Sequence, residues 1–111
     1  LWLAETTGHQ PALKERLLQA YFGDGLDVGD PDVLVACAEE VGMPRDRVLA
    51  FLASDDGAAE VRALIAIAGE QEITAVPTYV ISRTDDDRSW MVPGAQDTDV
   101  FVRVLRRLAD A

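Results

Sequence analysis

Apolar residues follow a period of about 3.6 from the start of the chain to Gly69, and a period of two around Tyr79 and Trp90. Leu1 to Thr7 reads as the end of a helix, closed by Gly8 at the position a C′ glycine prefers. Pro11 suits the first turn of the next helix, in which Leu13, Leu17, Leu18, Tyr21 and Phe22 form one apolar stripe. Gly23-Asp24-Gly25 ends that stripe. Asp30 and Pro31 make an N-cap and N1 pair for a third helix, with Val33, Leu34, Cys37, Ala38 and Val41 as its buried face and Gly42 as its stop. Pro44 opens a fourth, with Val48, Leu49 and Leu52 inward. Ser54 or Asp55 caps the last long helix of this series, where Val61, Leu64, Ile65 and Ala68 lie on one side and Gly69 loosens the end.

The period then changes. Tyr79 to Ser82 and Ser89 to Val92 read as two strands joined by the polar turn Arg83 to Arg88. Trp90 and Val92 alternate with Ser89 and Met91, so one face of the second strand is the more apolar. Pro93-Gly94 stops it. Val100, Phe101, Val104, Leu105 and Leu108 predict a final amphipathic helix capped by Asp97. Helices followed by a hairpin and a helix make the fold class α+β.

At 111 residues and 49% hydrophobic content, the chain has room for one domain with a core. No apolar run approaches the roughly 20 residues of a membrane span. Twenty acidic residues against ten basic ones give a net charge of −10, which repels a phosphate backbone and argues against nucleic acid as a partner. Arg103, Arg106 and Arg107 fall in the last turns of the final helix, where cations suit the dipole, and read as a solvated face.

The single cysteine forms no internal disulfide and fits an intracellular, cytoplasmic protein. Cys37 sits on an apolar stripe, where burial raises a thiol's pKa and removes its nucleophilicity, so it reads as structural. His9 stands alone in a helix-helix link. The acidic segment Asp24 to Asp30 lacks the ligand spacing of a calcium loop, and Asp85, Asp86 and Asp87 read as solvated turn residues. These residues point to no metal and no cofactor.

Ile73-Thr74-Ala75-Val76-Pro77-Thr78-Tyr79 resembles the cis-proline loop of thioredoxin-fold proteins, and most closely that of the DsbA-like branch. Pro93-Gly94-Ala95-Gln96 followed by a helix is similar to the FrnE-type subgroup of dithiol-disulfide isomerases. So are Ala12 to Leu17 leading into Ala20-Tyr21-Phe22, Asp27 to Pro31, and Phe51 to Ala58. The resemblance implies a helical insertion at residues 1–72, then the β-β-α part of a thioredoxin-like fold at 73–111, with an incomplete sheet. It implies a cis Val76–Pro77 bond and substrate binding by Val76, Pro77 and Thr78. Val76 would pair through its main chain with an extended peptide, and Pro77 would shape the loop. The family has glycine where Ala75 stands.

That family opens with a strand and a Cys-x-x-Cys at the head of its first helix, and these 111 residues contain neither. The expectation is therefore the C-terminal part of a longer protein: a thiol–disulfide oxidoreductase or isomerase acting on protein or peptide thiols, this portion itself inert and without catalytic residues. Two other classes share the loop: a glutathione-dependent isomerase or transferase of the kappa-like branch, faintly echoed by Gln96-Asp97, and a non-catalytic thioredoxin-fold binding module. The first strand of the hairpin would have a free edge, open to upstream residues or to a second copy in a homodimer.

Overall fold

Local turn chemistry sets several of the helix ends. A computed structural model describes residues 1–110. It contains α1 (Trp2–Thr6), α2 (Gln10–Leu18) with a π-helical turn (Gln19–Gly23), α3 (Pro31–Glu40), α4 (Arg45–Leu52), α5 (Ala58–Glu70), β1 (Thr78–Ser82), β2 (Ser89–Pro93) and α6 (Thr98–Asp110). The architecture is mixed: helices with a small two-stranded antiparallel sheet. The described residues form two compact units, Leu1–Ala63 and Leu64–Ala111, which divide inside α5. The sequence boundary at 72/73 instead marks the turn into the Pro77 loop.

In the first unit the Asp30 side chain accepts a hydrogen bond from the Asp32 N–H, and Pro31 fills the first helical position of α3. Gly8 and Gly42 take φ of +76° and +94°, so α1 and α3 both end in a left-handed residue. Their last carbonyls are satisfied in the same way: His9 N–H donates to Ala4 O at 2.9 Å, and Met43 N–H to Ala38 O at 3.0 Å. Leu3, Ala4, Leu13, Ala20, Val35, Cys37, Ala38, Met43 and Val48 form the core, with Leu17, Val28 and Phe51 packed against it.

Several inward positions differ from the sequence pattern. Tyr21 and Phe22 are 56% and 78% exposed, and Ala20 is the buried residue instead. The π turn is the cause. Asp24 N–H reaches back five residues to Gln19 O, and the wide turn shifts the helical stripe out of phase. Val35 is fully buried on α3, whereas Leu34 is half-buried. On α4, Val48 is buried but Leu49 and Leu52 reach solvent. Ser54 and Asp55 do not cap α5: Ser54 Oγ accepts from the Asp56 N–H, and the helix starts only after Gly57.

The apolar side of α5 is present as a pattern but uncovered. Val61, Leu64, Ile65 and Ile67 are all exposed, and the helix has no buried residue. It does not loosen at Gly69. Glu72, at φ +57°, ends it, with Ile73 N–H donating to Ala68 O and Glu72 N–H to Gly69 O. The bond pattern matches that at Gly8 and Gly42, with glutamate in the glycine position.

In the second unit β1 and β2 pair in the register Tyr79↔Val92 and Ile81↔Trp90, each strand one residue longer than the alternation alone suggests. Tyr79, Ile81, Trp90 and Val92 share the face that meets α6. Tyr79 packs edge-on against Phe101 with ring centroids 4.9 Å apart, the Arg107 guanidinium lies 4.8 Å from the Trp90 ring, and Val92 and Leu108 are buried. Arg107 thus serves the hairpin and is not simply a solvated cation. Leu105, counted inward from sequence, is 53% exposed. Arg83 caps the far end of α6, donating from Nη1 to Leu108 O at 3.0 Å.

Candidate functional site

Between α5 and β1 the chain makes its least covered turn. The Val76–Pro77 peptide is cis, and Val76 is 98% exposed. Neither its N–H nor its C=O is hydrogen-bonded among the described residues. The loop is held on both flanks. Upstream, Glu72 turns the chain out of α5; downstream, Thr78 Oγ1 donates to Ala75 O at 2.5 Å. Ala75 has negative φ, so alanine fits without strain where the family has glycine.

The hairpin fixes Pro77 from the other side. Gly94 N–H donates to Pro77 O at 2.7 Å, extending the ladder one pair beyond Thr78↔Pro93. Pro77 has no N–H to return, so that bond runs one way. The bond also sets the phase of the ladder. Hydrogen-bonded pairs alternate in an antiparallel sheet, so Tyr79 and Ile81 direct their main-chain groups at β2. Thr78, Val80 and Ser82 direct theirs at the opposite, unpaired edge, continuous with the free groups of Val76. The outer edge of β2 is blunter, because Pro93 supplies no donor there. Of the two edges, β1 offers the intact donor row.

Val76, Pro77 and Thr78 therefore stand together in one loop running into one open strand edge. Glu72 and Gly94, which position that loop, were not marked by the sequence reading. Gly94 had a signal in the Pro93-Gly94 turn; Glu72 had none, since glutamate gives no sign of a left-handed residue. Gln96 closes the same turn, its Nε2 donating to Pro93 O at 2.9 Å.

Cys37 is 1% exposed in the core of the first unit, out of reach of a substrate disulfide. His9 Nδ1 lies 2.9 Å from Thr7 Oγ1 and has no carboxylate partner among the described residues. Among those residues no group of three or more His, Cys, Asp or Glu is placed to hold a metal ion. The acidic turns use their carboxylates locally: Asp27 accepts from Gly29 N–H, and Asp85 binds Arg83 through two nitrogens at 2.7 and 2.8 Å. Arg83 accordingly holds the Asp85 carboxyl below its usual pKa, and Arg88 does the same to Asp86.

Residues 1–106 match the family model of the DSBA-like thioredoxin domain. The chain belongs to the DsbA-like thioredoxin family. A Bacillus subtilis (strain 168) protein named "Uncharacterized protein YwbO" is 35% identical over 106 residues, covering 88% of this chain and 46% of its own length. The chain thus spans about half the length of the relative it matches. Membership in the DsbA-like thioredoxin family gives the helices and hairpin their context as part of a thioredoxin-like α+β fold. No helix among the described residues is long and apolar enough to cross a membrane.

Proposed function

We propose that this chain is the peptide-docking portion of a FrnE-type thiol–disulfide oxidoreductase or isomerase. In this reading Val76 pairs through its main chain with an extended peptide carrying a thiol or disulfide, and the β1 edge beside it continues the contact. Pro77 and Thr78 hold the loop in place. Backbone groups carry the recognition, so the substrate class is broad: proteins or peptides in which a short extended segment is accessible. The observation that supports this most directly is Val76 itself, 98% exposed with both main-chain groups unengaged.

Disulfide exchange needs an attacking thiolate and a second thiol to resolve the mixed disulfide. These 111 residues hold one thiol, and it is buried. The redox pair is therefore assigned to residues outside this sequence; Cys37 itself stays an unpaired, buried thiol, which suits a reducing compartment such as the cytoplasm. The bare apolar side of α5 and the open β1 edge agree with further protein packing here in the working enzyme. Gln96 spends its amide on the Pro93 turn, which weakens the glutathione-handling alternative.

Binding of an unstructured cysteine-containing peptide to the 111-residue chain tests the reading. Val76→Pro removes the N–H and should abolish binding, whereas Val76→Thr keeps the backbone and should leave it unchanged. Equal binding by all three proteins would overturn the docking role. In a disulfide-reduction assay the chain alone should match background, and Cys37→Ser should be indistinguishable from it; a rate lost with Cys37→Ser would overturn the assignment of the redox pair.

A further inference from the structure

The end of α5 that leads into the Val76 loop breaks two local preferences at once. Glu70 lies in a last turn that holds no basic residue, so its carboxylate faces the negative end of the helix dipole. Glu72 follows in the left-handed region at φ +57°, where the ends of α1 and α3 have glycine. Both side chains are exposed, and neither has an ion-pair partner among the described residues. Placement against local preference is where a role beyond stability is sought. The same sign recurs across the loop. Gly94 N–H donates to Pro77 O at 2.7 Å, and Asp97 and Asp99 follow within five residues of Gly94. The positive end of the α6 dipole offsets part of their charge, so the two glutamates dominate. No lysine or arginine occurs between Arg62 and Arg83, or between Arg88 and Arg103. The cations of the hairpin gather at its other end. Arg83 and Arg88 lie beyond Ser82↔Ser89, about 13 Å along the ladder from Thr78↔Pro93, and are held by Asp85 and Asp86. Arg106 and Arg107 close α6 at that same end, where Arg83 Nη1 donates to Leu108 O.

We propose that the Val76 loop selects cationic peptides, Glu70 and Glu72 receiving a lysine or arginine that flanks the segment paired with Val76. The inference rests on the docking reading above and adds what that reading lacks, since main-chain pairing is blind to side-chain charge. Val76 is 98% exposed and its main-chain groups are unengaged, so a docked segment must pass through the field of these carboxylates. Charges at the rim of a contact act mainly on encounter: they steer association and lose their effect as ionic strength rises. Acidic segments are repelled by the same field, so discrimination works from both sides. The net charge of −10 attracts cations over the whole surface. Particular to the loop is that no arginine or lysine stands beside it to neutralise its carboxylates.

Three peptides test this, sharing one extended cysteine-containing core and differing only in its flanks: two lysines, two serines or two glutamates. Affinity for the 111-residue chain at low salt should rank lysine above serine above glutamate, with about tenfold between the extremes. Salt at about 0.5 M should remove most of that gap. Glu70→Gln and Glu72→Gln should each narrow it by about twofold or more. Asp87→Asn deletes the same charge at the exposed far tip of the hairpin and should leave the gap as it was. Circular dichroism of each variant confirms that the helices are intact, as expected for exposed positions. Equal affinity for the three peptides, with Val76→Pro still abolishing binding, would overturn the selectivity and leave the docking role standing. Equal narrowing by Asp87→Asn would overturn the assignment to the loop, because net charge alone would then account for the ranking. Failure of all three peptides to bind would overturn the docking role and this inference with it.

Discussion

The indole of Trp2 lies against the bare Cα of Gly57: a Cβ placed there would stand 2.6 Å from Trp2 Cε3 and 2.9 Å from Cδ2. Gly57 also has φ +77°, so a side chain at this position is strained before it meets the ring. Trp2 stacks in turn on Phe51, with centroids 5.9 Å apart, which ties α1, the end of α4 and the start of α5 together. Gly57→Ala should destabilise the chain by about 2–4 kcal/mol, strain and overpacking adding. Urea unfolding measures this. Because part of the cost is the clash, Trp2→Leu should recover some of it, and strict additivity in the double variant would show that the ring is not the obstacle.

Glu72 holds the residue position that glycine holds after α1 and α3, and it pays a conformational penalty there. A non-glycine residue in the left-handed region costs roughly 1–2 kcal/mol, offset in part by glycine's greater freedom in the unfolded chain. Glu72→Gly should therefore raise stability by about 0.5–1 kcal/mol, and Glu72→Val should lower it, β-branching being least tolerant of positive φ. Denaturant midpoints of the two variants check both directions; a loss in both would mean that the glutamate side chain makes a contribution beyond the backbone turn.

Arg16 binds Glu40 through Nε and Asp24 through Nη1 at 3.1 Å, clamping the π turn to the end of α3. The hydrogen bond from Arg16 holds the Glu40 carboxyl below its usual pKa. A carboxylate whose folded pKa is depressed contributes stability above its unfolded pKa and loses it as pH falls through the folded one. Glu40→Gln should accordingly be less stable than the parent at neutral pH, and the gap should close as the solution is acidified below the ordinary glutamate range. Unfolding measured as a pH series at low salt tests this; a gap independent of pH would remove the ion pair as its cause.

What the sequence disclosed follows from how local each signal is. Asp30-Pro31, Gly8 and Gly42 act within a single turn, and all three mark helix ends in the structure. Cys37 was legible because the period of α3 places it beside apolar neighbours. The displacement of Tyr21 and Phe22 was not, since a π turn shifts the helical phase with no residue type to announce it. The stripe on α5 was legible as a pattern, but a pattern names no partner, and none of the described residues buries it. At the candidate site, Val76 and Pro77 were marked by resemblance to a family loop. The bond from Gly94 to Pro77 could not be, because it depends on the register between strands, which two short runs of alternation leave open.

That register yields the last prediction. Two strands alone are marginal in water, and here one face of the hairpin is covered by α6 while Val80 and Met91, on the other, are 55% and 40% exposed. Along β1 the amides must behave as two alternating sets. Tyr79 and Ile81 donate toward β2 and should exchange slowly with solvent deuterium; Thr78, Val80 and Ser82 face the open edge and should exchange quickly in dilute chain. A strand added to this edge engages the second set only. An extended peptide docked beside Val76, or a second copy joined edge to edge, should therefore slow exchange at Thr78, Val80 and Ser82 and leave Tyr79 and Ile81 as they were. The two occupants separate by concentration: a homodimer protects the edge as chain concentration rises, a peptide only as peptide is added. Val80→Pro removes the central donor of the row without touching the ladder to β2, so it should prevent either event while the hairpin persists. Protection of all five amides at any dilution would mean that the edge is already closed within the chain, and the docking surface would have to be sought elsewhere.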